Sequence, residues 1–179
     1  MTDLISSDLD PDLKNAWRSD PVVYNAMNKE FDFFLDAAAS KDNALCSMFL
    51  NKHDNAPTCD WSQLVHDHRK AVWINPPYGR GCIKTFMKQA TKMKFQGITT
   101  VMLVPATLDA QWLPIKFISE IRIVTGGRLS FYHPVTGKKV NKNTKGSMFV
   151  IFRPSDMPCF TRLIDRDELL AYGAINDER

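Results

Sequence analysis

The sequence lacks the patterns that mark several classes of protein. Its four cysteines are spread along the chain without a C-x-x-C pair, so we expect reduced thiols of a cytosolic protein rather than a zinc site. No apolar run approaches the roughly 20 residues that a membrane-spanning helix needs. The N-terminal residues 1–4 are polar and acidic and show no signal-peptide pattern. A cytoplasmic protein without a membrane segment is therefore predicted.

Acidic residues are missing from one long part of the chain. Between Glu120 and Asp156 there is no acid but there are seven bases, and residues 21–155 together carry 18 bases against 9 acids. A basic body with acidic ends favours a polyanionic partner over a merely solvated basic surface. The loop 132–146, rich in Pro, Gly, Asn and Lys, is the best candidate for touching nucleic acid. The alternative for this loop is an ordinary solvated connection.

Length and periodicity predict one α/β domain over residues 1–179, with a loose arm at 1–16 and a charged tail at 172–179. Apolar, β-branched runs predict strands at 31–35, 71–74, 97–104, 121–124 and 147–152. A first helix should begin after an N-cap at Asp20 and end near Lys29. Further helices are expected after residue 79, at 109–117 with an interruption at Pro114, and at 162–171.

The most informative stretch is Asn-Pro-Pro-Tyr at residues 75–78, directly after the buried strand 71–74. Neither proline has an N–H to donate, so the strand stops there in a rigid turn. Asn75 and the Pro76 carbonyl offer two hydrogen-bond acceptors, and Tyr78 offers a ring for stacking. These groups suit the exocyclic amine of a flat heterocycle, although an ordinary strand-ending turn uses the same residue types.

A second candidate site follows the strand 31–35. Asp36 precedes Ala37 and further small residues, which let a ligand approach the backbone at the carboxyl end of a strand. Asp36 could hold a cationic group or could simply cap the next turn. The sequence His-Asp-His at 66–68 lacks a third ligand nearby, so no metal is expected.

Taken together, these pieces resemble the phage-type DNA N6-adenine methyltransferases of the Dam family. The resemblance covers roughly residues 17–154. It depends on five features in order: Trp-Arg-Ser-Asp-Pro at 17–21, Leu-Asp-Ala-Ala-Ala-Ser at 35–40 with Asn-Ala-Leu-Cys at 43–46, Asp-Trp at 60–61, Asn-Pro-Pro-Tyr at 75–78 and Gly-Arg-Leu-Ser-Phe at 127–131.

The resemblance implies a Rossmann-like methyltransferase sheet whose last strand is antiparallel, with S-adenosyl-L-methionine as methyl donor and no metal. It implies a flipped-out adenine of double-stranded DNA as acceptor, in a short site such as GATC. Phage origin and the host cytoplasm are expected with it. The oligomeric state, a monomer or a weak homodimer, stays open, as does whether the methylation serves restriction-modification or another role. The implied residues are, for catalysis, Asn75, Pro76 and Tyr78; for the donor, Trp17, Asp36, Ala37, Asp54, Asp60 and Asn75; and for DNA, Arg80, Arg128, Lys138, Lys139, Lys142 and Lys145.

The chain departs from the family in having Asp20 before Pro21 where threonine is usual, so no hydroxyl contact is expected from that position. Asp54 and Asp60 are both placed for the donor's adenosine, and the sequence does not choose between them. Two other functions remain open: a methyltransferase acting on RNA or a protein glutamine, and a non-catalytic DNA-binding protein on the same scaffold.

Overall fold

The computed structural model describes residues 17–65, 67, 69–140 and 144–175. Within them the chain forms ten strands and three α-helices. The strands are β1 Arg18–Ser19, β2 Phe33–Asp36, β3 Met48–Phe49, β4 Ala71–Ile74, β5 Thr99–Pro105, β6 Glu120–Thr125, β7 Phe131–Tyr132, β8 Lys139–Val140, β9 Ser147–Phe152 and β10 Phe160–Asp165. The helices are α1 Pro21–Phe31, α2 Cys82–Phe95 and α3 Arg166–Ala174.

Seven strands form one sheet in the order β10-β6-β9-β5-β4-β2-β3. Strands β3, β2, β4 and β5 run parallel, and β9 runs antiparallel to both β5 and β6. A mostly parallel, Rossmann-like α/β sheet is therefore confirmed. Because these parallel strands and β6 point the same way, their carboxyl ends share one edge of the sheet, which is where such folds place their ligands.

Successive side chains of a strand point to opposite faces of the sheet, so a hydrophobic core forms on each face. On one face α1 packs its inner side chains, among them Val23 and Met27, against Trp73 and Phe149. On the other face α2 packs Phe86 and its neighbours against the opposite set of strand residues. The sheet is therefore covered by helices on both sides, as parallel sheets require.

The first helix forms as the sequence predicts. The Asp20 side chain accepts a hydrogen bond from the Val22 N–H, and Pro21 occupies the first turn. The helix continues to Phe31, two residues past the predicted end, and stops where Asp32 adopts a left-handed conformation (φ 47°). The strand that follows accordingly begins at Phe33 instead of residue 31.

Two predictions about the later chain are wrong. Residues 109–117 form turns instead of a helix, because Pro114 cannot donate an interior hydrogen bond. The first part of the predicted helix 162–171 belongs to β10, which pairs in parallel with β6, and α3 begins only at Arg166 and continues to Ala174. An antiparallel last strand is not confirmed, because β10 follows β9; the predicted strand 147–152 is β9, and it is antiparallel to both of its neighbours.

A small separate sheet joins β1, β7 and β8. It includes part of the predicted loop 132–146, which the structure shows as a hairpin between β7 and β8. Residues 1–16, His66, His68 and the basic Lys142 lie outside the described residues. In the described part of the chain, no helix is long and apolar enough to cross a bilayer.

An ionic network fastens α1 to the edge opposite the strand carboxyl ends. Arg122 is 4% exposed and donates to both Glu120, which is 1% exposed, and Glu30 on α1. Arg153 and Arg162 also pair with these two carboxylates. Burial raises the pKa of Glu120, but the Arg122 hydrogen bond and the surrounding arginines outweigh it, so the net pKa lies below the ordinary 4.5.

We expect Glu120→Gln to destabilise the protein by about 3 kcal/mol, the low end for breaking a buried ion pair, because it removes one of the two carboxylates that bind buried Arg122 while Glu30 remains. The lowered pKa of Glu120 means that its carboxylate stabilises the folded protein above pH 4.5, and this stabilisation is lost as the pH falls through the folded-state pKa. Because the variant lacks the carboxylate, it should lose less stability than the parent on acidification. Urea unfolding at pH 7 and pH 4 measures both effects. The exposed Glu168→Gln is the control, and an equal loss in both variants would contradict a structural role of the network.

Candidate active site

The site is assembled where β2 and β4 end side by side. Asp36 and Trp73 are paired in parallel register, and the Ala37 N–H donates to the Trp73 carbonyl at 3.0 Å. Asn75 follows Trp73 by two residues, so the two predicted functional side chains leave adjacent strand ends. The geometry therefore brings together the two motifs that are 39 residues apart in the sequence.

Asp36 is a buried carboxylate without a cationic partner in the described part of the chain. Its side chain is 4% exposed and accepts hydrogen bonds from the N–H groups of Ala38 at 3.3 Å and Leu45 at 3.2 Å. Burial raises its pKa to about 6, although these two backbone bonds oppose the rise. A buried carboxylate in this state favours a ligand that brings a positive charge.

The Asn75 amide is held at both ends. Its Nδ2 donates to the Trp17 carbonyl at 3.2 Å, and its Oδ1 accepts from the Tyr78 hydroxyl at 3.2 Å. Burial raises the pKa of Tyr78, so the hydroxyl stays protonated and can act as the donor. A carbonyl oxygen has two acceptor positions, and one of those on Oδ1 remains for a further donor.

Tyr78 also forms part of the wall of a cavity of about 550 Å³. The cavity lies between the start of α2, the end of β5 and the segment before β9. It is lined by Tyr78, Gly79, Arg80, Gly81, Ile83, Lys84, Pro105, Thr107, Gln111, Trp112, Thr144 and Lys145. Two rings, several polar side chains and three bases therefore surround a space large enough for a nucleobase.

Asp54 and Asp60, the two alternatives that the sequence offers for one binding role, lie in different environments. Asp54 is in a short 3-10 turn, five residues after the end of β3, on the side of the sheet where the parallel strands end, and accepts from the Asn51 N–H at 2.7 Å. Asp60 instead caps the turn Trp61–Gln63 and lies 3.9 Å from the Lys92 ammonium. Lys92 is ten residues into α2, or about 15 Å along the helix from its first residue at the ligand edge.

The predicted basic residues do not share one environment. Lys145 and Arg80 line the cavity, while Arg128 and Lys138 are exposed. Lys139 forms an ion pair with the buried carboxylate of Asp20 at 2.7 Å, so its positive charge is neutralised within the protein.

Sequence reasoning missed several contacts and groups at the site. Trp17 contributes its carbonyl to Asn75, while its ring packs edge-on against His133 at 5.2 Å. Gln111 and Trp112 line the cavity, but they fall in the segment for which a helix was predicted. The sequence could have indicated Gln111 and Trp112, because they follow a strand that ends at Pro105, and ligands bind at the carboxyl ends of such strands.

Comparison with known proteins identifies the family. The sequence model described as DNA N-6-adenine-methyltransferase (Dam) matches residues 6–175. The DNA N-6-adenine-methyltransferase of Escherichia phage T1 is 32% identical over 135 residues, which are 66% of this chain and 54% of the phage protein. The chain thus spans about half the length of that relative.

Two further relatives agree with this assignment. The DNA N-6-adenine-methyltransferase of Haemophilus phage HP1 is 26% identical over 145 residues, 79% of this chain and 80% of the relative. A putative methyltransferase of Escherichia coli (strain K12), YfdM, is 34% identical over 65 residues, 36% of this chain and 71% of the relative. The chain belongs to the DNA N-6-adenine-methyltransferase (Dam) family.

Proposed function

We propose that the protein transfers a methyl group from S-adenosyl-L-methionine to the N6 amine of an adenine in double-stranded DNA, in a short site such as GATC. The observation that carries the proposal is the pairing of a buried, cation-seeking carboxylate at Asp36 with a restrained acceptor amide at Asn75 on adjacent strand ends. Membership of the family supports adenine in DNA as the acceptor.

The residues present fit the proposed donor. Asp36 offers a buried negative charge to the methionine ammonium, next to the small Ala37. Asp54 is favoured over Asp60 for the adenosine, because Asp60 lies along α2 away from the ligand edge.

The acceptor adenine has to leave the duplex, at a cost of a few kcal/mol, before it can reach the site. Its ring stacks on Tyr78, which lines the cavity, and its amine donates to Asn75 Oδ1 and to the Pro76 carbonyl, a few residues earlier in the same segment. Tyr78 thus has two roles: its ring supports the base, and its hydroxyl orients the amide that holds the amine. These two acceptors localise the nitrogen lone pair on the donor side of the ring.

The bound donor supplies an electrophilic methyl on a sulfonium, which becomes a thioether when N6 takes the methyl. The chain's residues align the nitrogen with that methyl carbon, and this positioning supplies most of the acceleration. The extra N6 proton passes to water after the methyl has been transferred, so no strong base is needed. Asn75, Pro76 and Tyr78 act by hydrogen bonding and stacking.

Incubation of the protein with methyl-labelled S-adenosyl-L-methionine and unmethylated duplex DNA, followed by nucleoside analysis, tests the function directly. We expect labelled N6-methyladenine, and we expect Asn75→Ala to abolish it with nearly unchanged donor affinity, because the substitution removes the amide oxygen that binds the acceptor amine and leaves the Asp36 carboxylate in place. Near-normal turnover of Asn75→Ala would overturn the mechanism. Donor binding with label in RNA or protein would indicate another acceptor, and neither binding nor labelling would indicate a non-catalytic DNA-binding protein.

Donor affinity should depend on pH through Asp36. Because the pKa of the free carboxyl is raised to about 6, the ionised form that attracts an ammonium is lost as the pH falls below 6, and the donor should then bind more weakly. Asp36→Asn should weaken binding at pH 7.5 by about 10- to 100-fold, the scale of a charge-assisted hydrogen bond. Calorimetric titration between pH 5 and 8 measures both effects, with Asp156→Asn at an exposed position as the control. A parent affinity constant across that range would contradict the contact.

The basic hairpin and the segment that follows it should contact the DNA backbone. Replacement of Lys138, Lys142 and Lys145 by Gln should weaken binding and lower the slope of log K against log salt by about 0.9 for each phosphate that the variant no longer neutralises. Lys139 is retained because it pairs with Asp20. Lys116→Gln, an exposed charge near the start of β6, is the control. An unchanged slope in the triple variant would remove this region from the interface.

A further inference from the structure

The Asn75 side chain has two ends that differ in chemistry but hardly in shape. If the amide turned by 180°, its Oδ1 would face the Trp17 carbonyl, and its Nδ2 would face the amine that it has to bind. Both new pairings would fail, since the first joins two acceptors and the second joins two donors. The Trp17 carbonyl, 3.2 Å from Nδ2, therefore selects the productive orientation.

The position of that carbonyl depends on β1, which has only two residues and lies outside the large sheet. Arg18, the residue after the carbonyl, pairs with Tyr132 of β7. Its guanidinium donates to the Asp42 carbonyl at 3.3 Å and to the Pro134 carbonyl at 3.3 Å. One side chain thus joins the loop that follows Asp36 to the hairpin between β7 and β8.

We propose that Arg18 is a positioning residue for the methyl transfer. By binding both loops it fixes β1, and β1 holds the Trp17 carbonyl where it orients the Asn75 amide. Arg18 touches neither the donor nor the acceptor in this role. The proposal depends on the proposed function, because it assigns Arg18 an effect on how that reaction's acceptor amine is held.

The competing role for an arginine beside a basic hairpin is direct binding to a DNA phosphate. The two roles have different consequences. Removing a phosphate-binding side chain weakens DNA binding and lowers its salt slope, whereas removing a positioning side chain lowers kcat. A lysine can replace an arginine at a phosphate as a point charge, but a single ammonium does not reproduce the planar fork that bridges two separated carbonyls.

We expect Arg18→Ala to lower kcat by about 10- to 100-fold, the scale of a small misplacement of a reacting group. The KM for DNA, its salt slope and the Kd of the donor should change less than twofold. Arg18→Lys should show the same pattern, and it replaces Arg18→Ala if that variant fails to fold. Arg69→Ala is the control for removal of an arginine, since Arg69 is exposed and pairs with Asp67, two residues earlier in the chain. A change confined to KM and the salt slope, or full rescue by lysine, would overturn the proposal.

A double-mutant cycle with Tyr78→Phe tests whether Arg18 acts through the amide. Tyr78→Phe keeps the ring and removes the hydroxyl that binds Oδ1, so the double variant leaves Asn75 without either restraint. The combined loss in kcat should exceed the product of the two single losses. Losses that simply multiply would show that Arg18 and the Tyr78 hydroxyl do not act on the same amide, which would overturn the proposal.

A measurement without turnover separates this proposal from the function on which it depends. In the ligand-free protein, the ¹⁵N-labelled side-chain amide of Asn75 should shift in Arg18→Ala and stay in place in Arg69→Ala. An unmoved resonance in Arg18→Ala would overturn the positioning role even if the protein methylates adenine. If the parent protein methylates no DNA, the proposed function fails, and the resonance still reports whether Arg18 orients the amide.

Discussion

The register between β2 and β4 is the constraint on which the site depends. Pairing of Asp36 with Trp73, continued by the bond from the Ala37 N–H to the Trp73 carbonyl, places the buried Asp36 carboxylate beside the segment that carries Asn75. A shift of one residue would turn Leu35 and Ile74 from the α2 core to the opposite face, because side chains alternate along a strand. The two hydrophobic cores therefore fix the alignment of Asp36 with Asn75 as well as the fold.

Two buried carboxylates show how the protein distributes its charge. Glu120 is surrounded by arginines at the edge away from the site, and its lowered pKa reports a completed ion pair. Asp36, at the ligand edge, has only backbone N–H partners among the described residues, and its pKa is raised to about 6. The first arrangement stabilises the fold, whereas the second leaves a negative charge that a cationic ligand can neutralise.

The small sheet of β1, β7 and β8 connects two parts of the protein that are far apart in the sequence. It connects the basic hairpin to the Trp17 carbonyl, and the carbonyl binds the amide of Asn75. Lys139 strengthens the link by pairing with Asp20, the N-cap of α1. The hairpin is therefore connected to Asn75 through one short strand.

The amino-acid sequence alone was enough to predict the strands of the sheet's centre, the capped first helix, the turn at 75–78 and the family, because each depends on local periodicity, proline chemistry or ordered motifs. Tertiary structure determined what depends on distant partners. Residues 160–165 form a strand because β6 offers an open edge, and residues 109–117 remain irregular while contributing Gln111 and Trp112 to the cavity. Neither the Trp17 carbonyl's bond to Asn75 nor the pairing of Lys139 with Asp20 could be predicted, since sequence spacing carries no information on contacts between residues 58 and 119 positions apart.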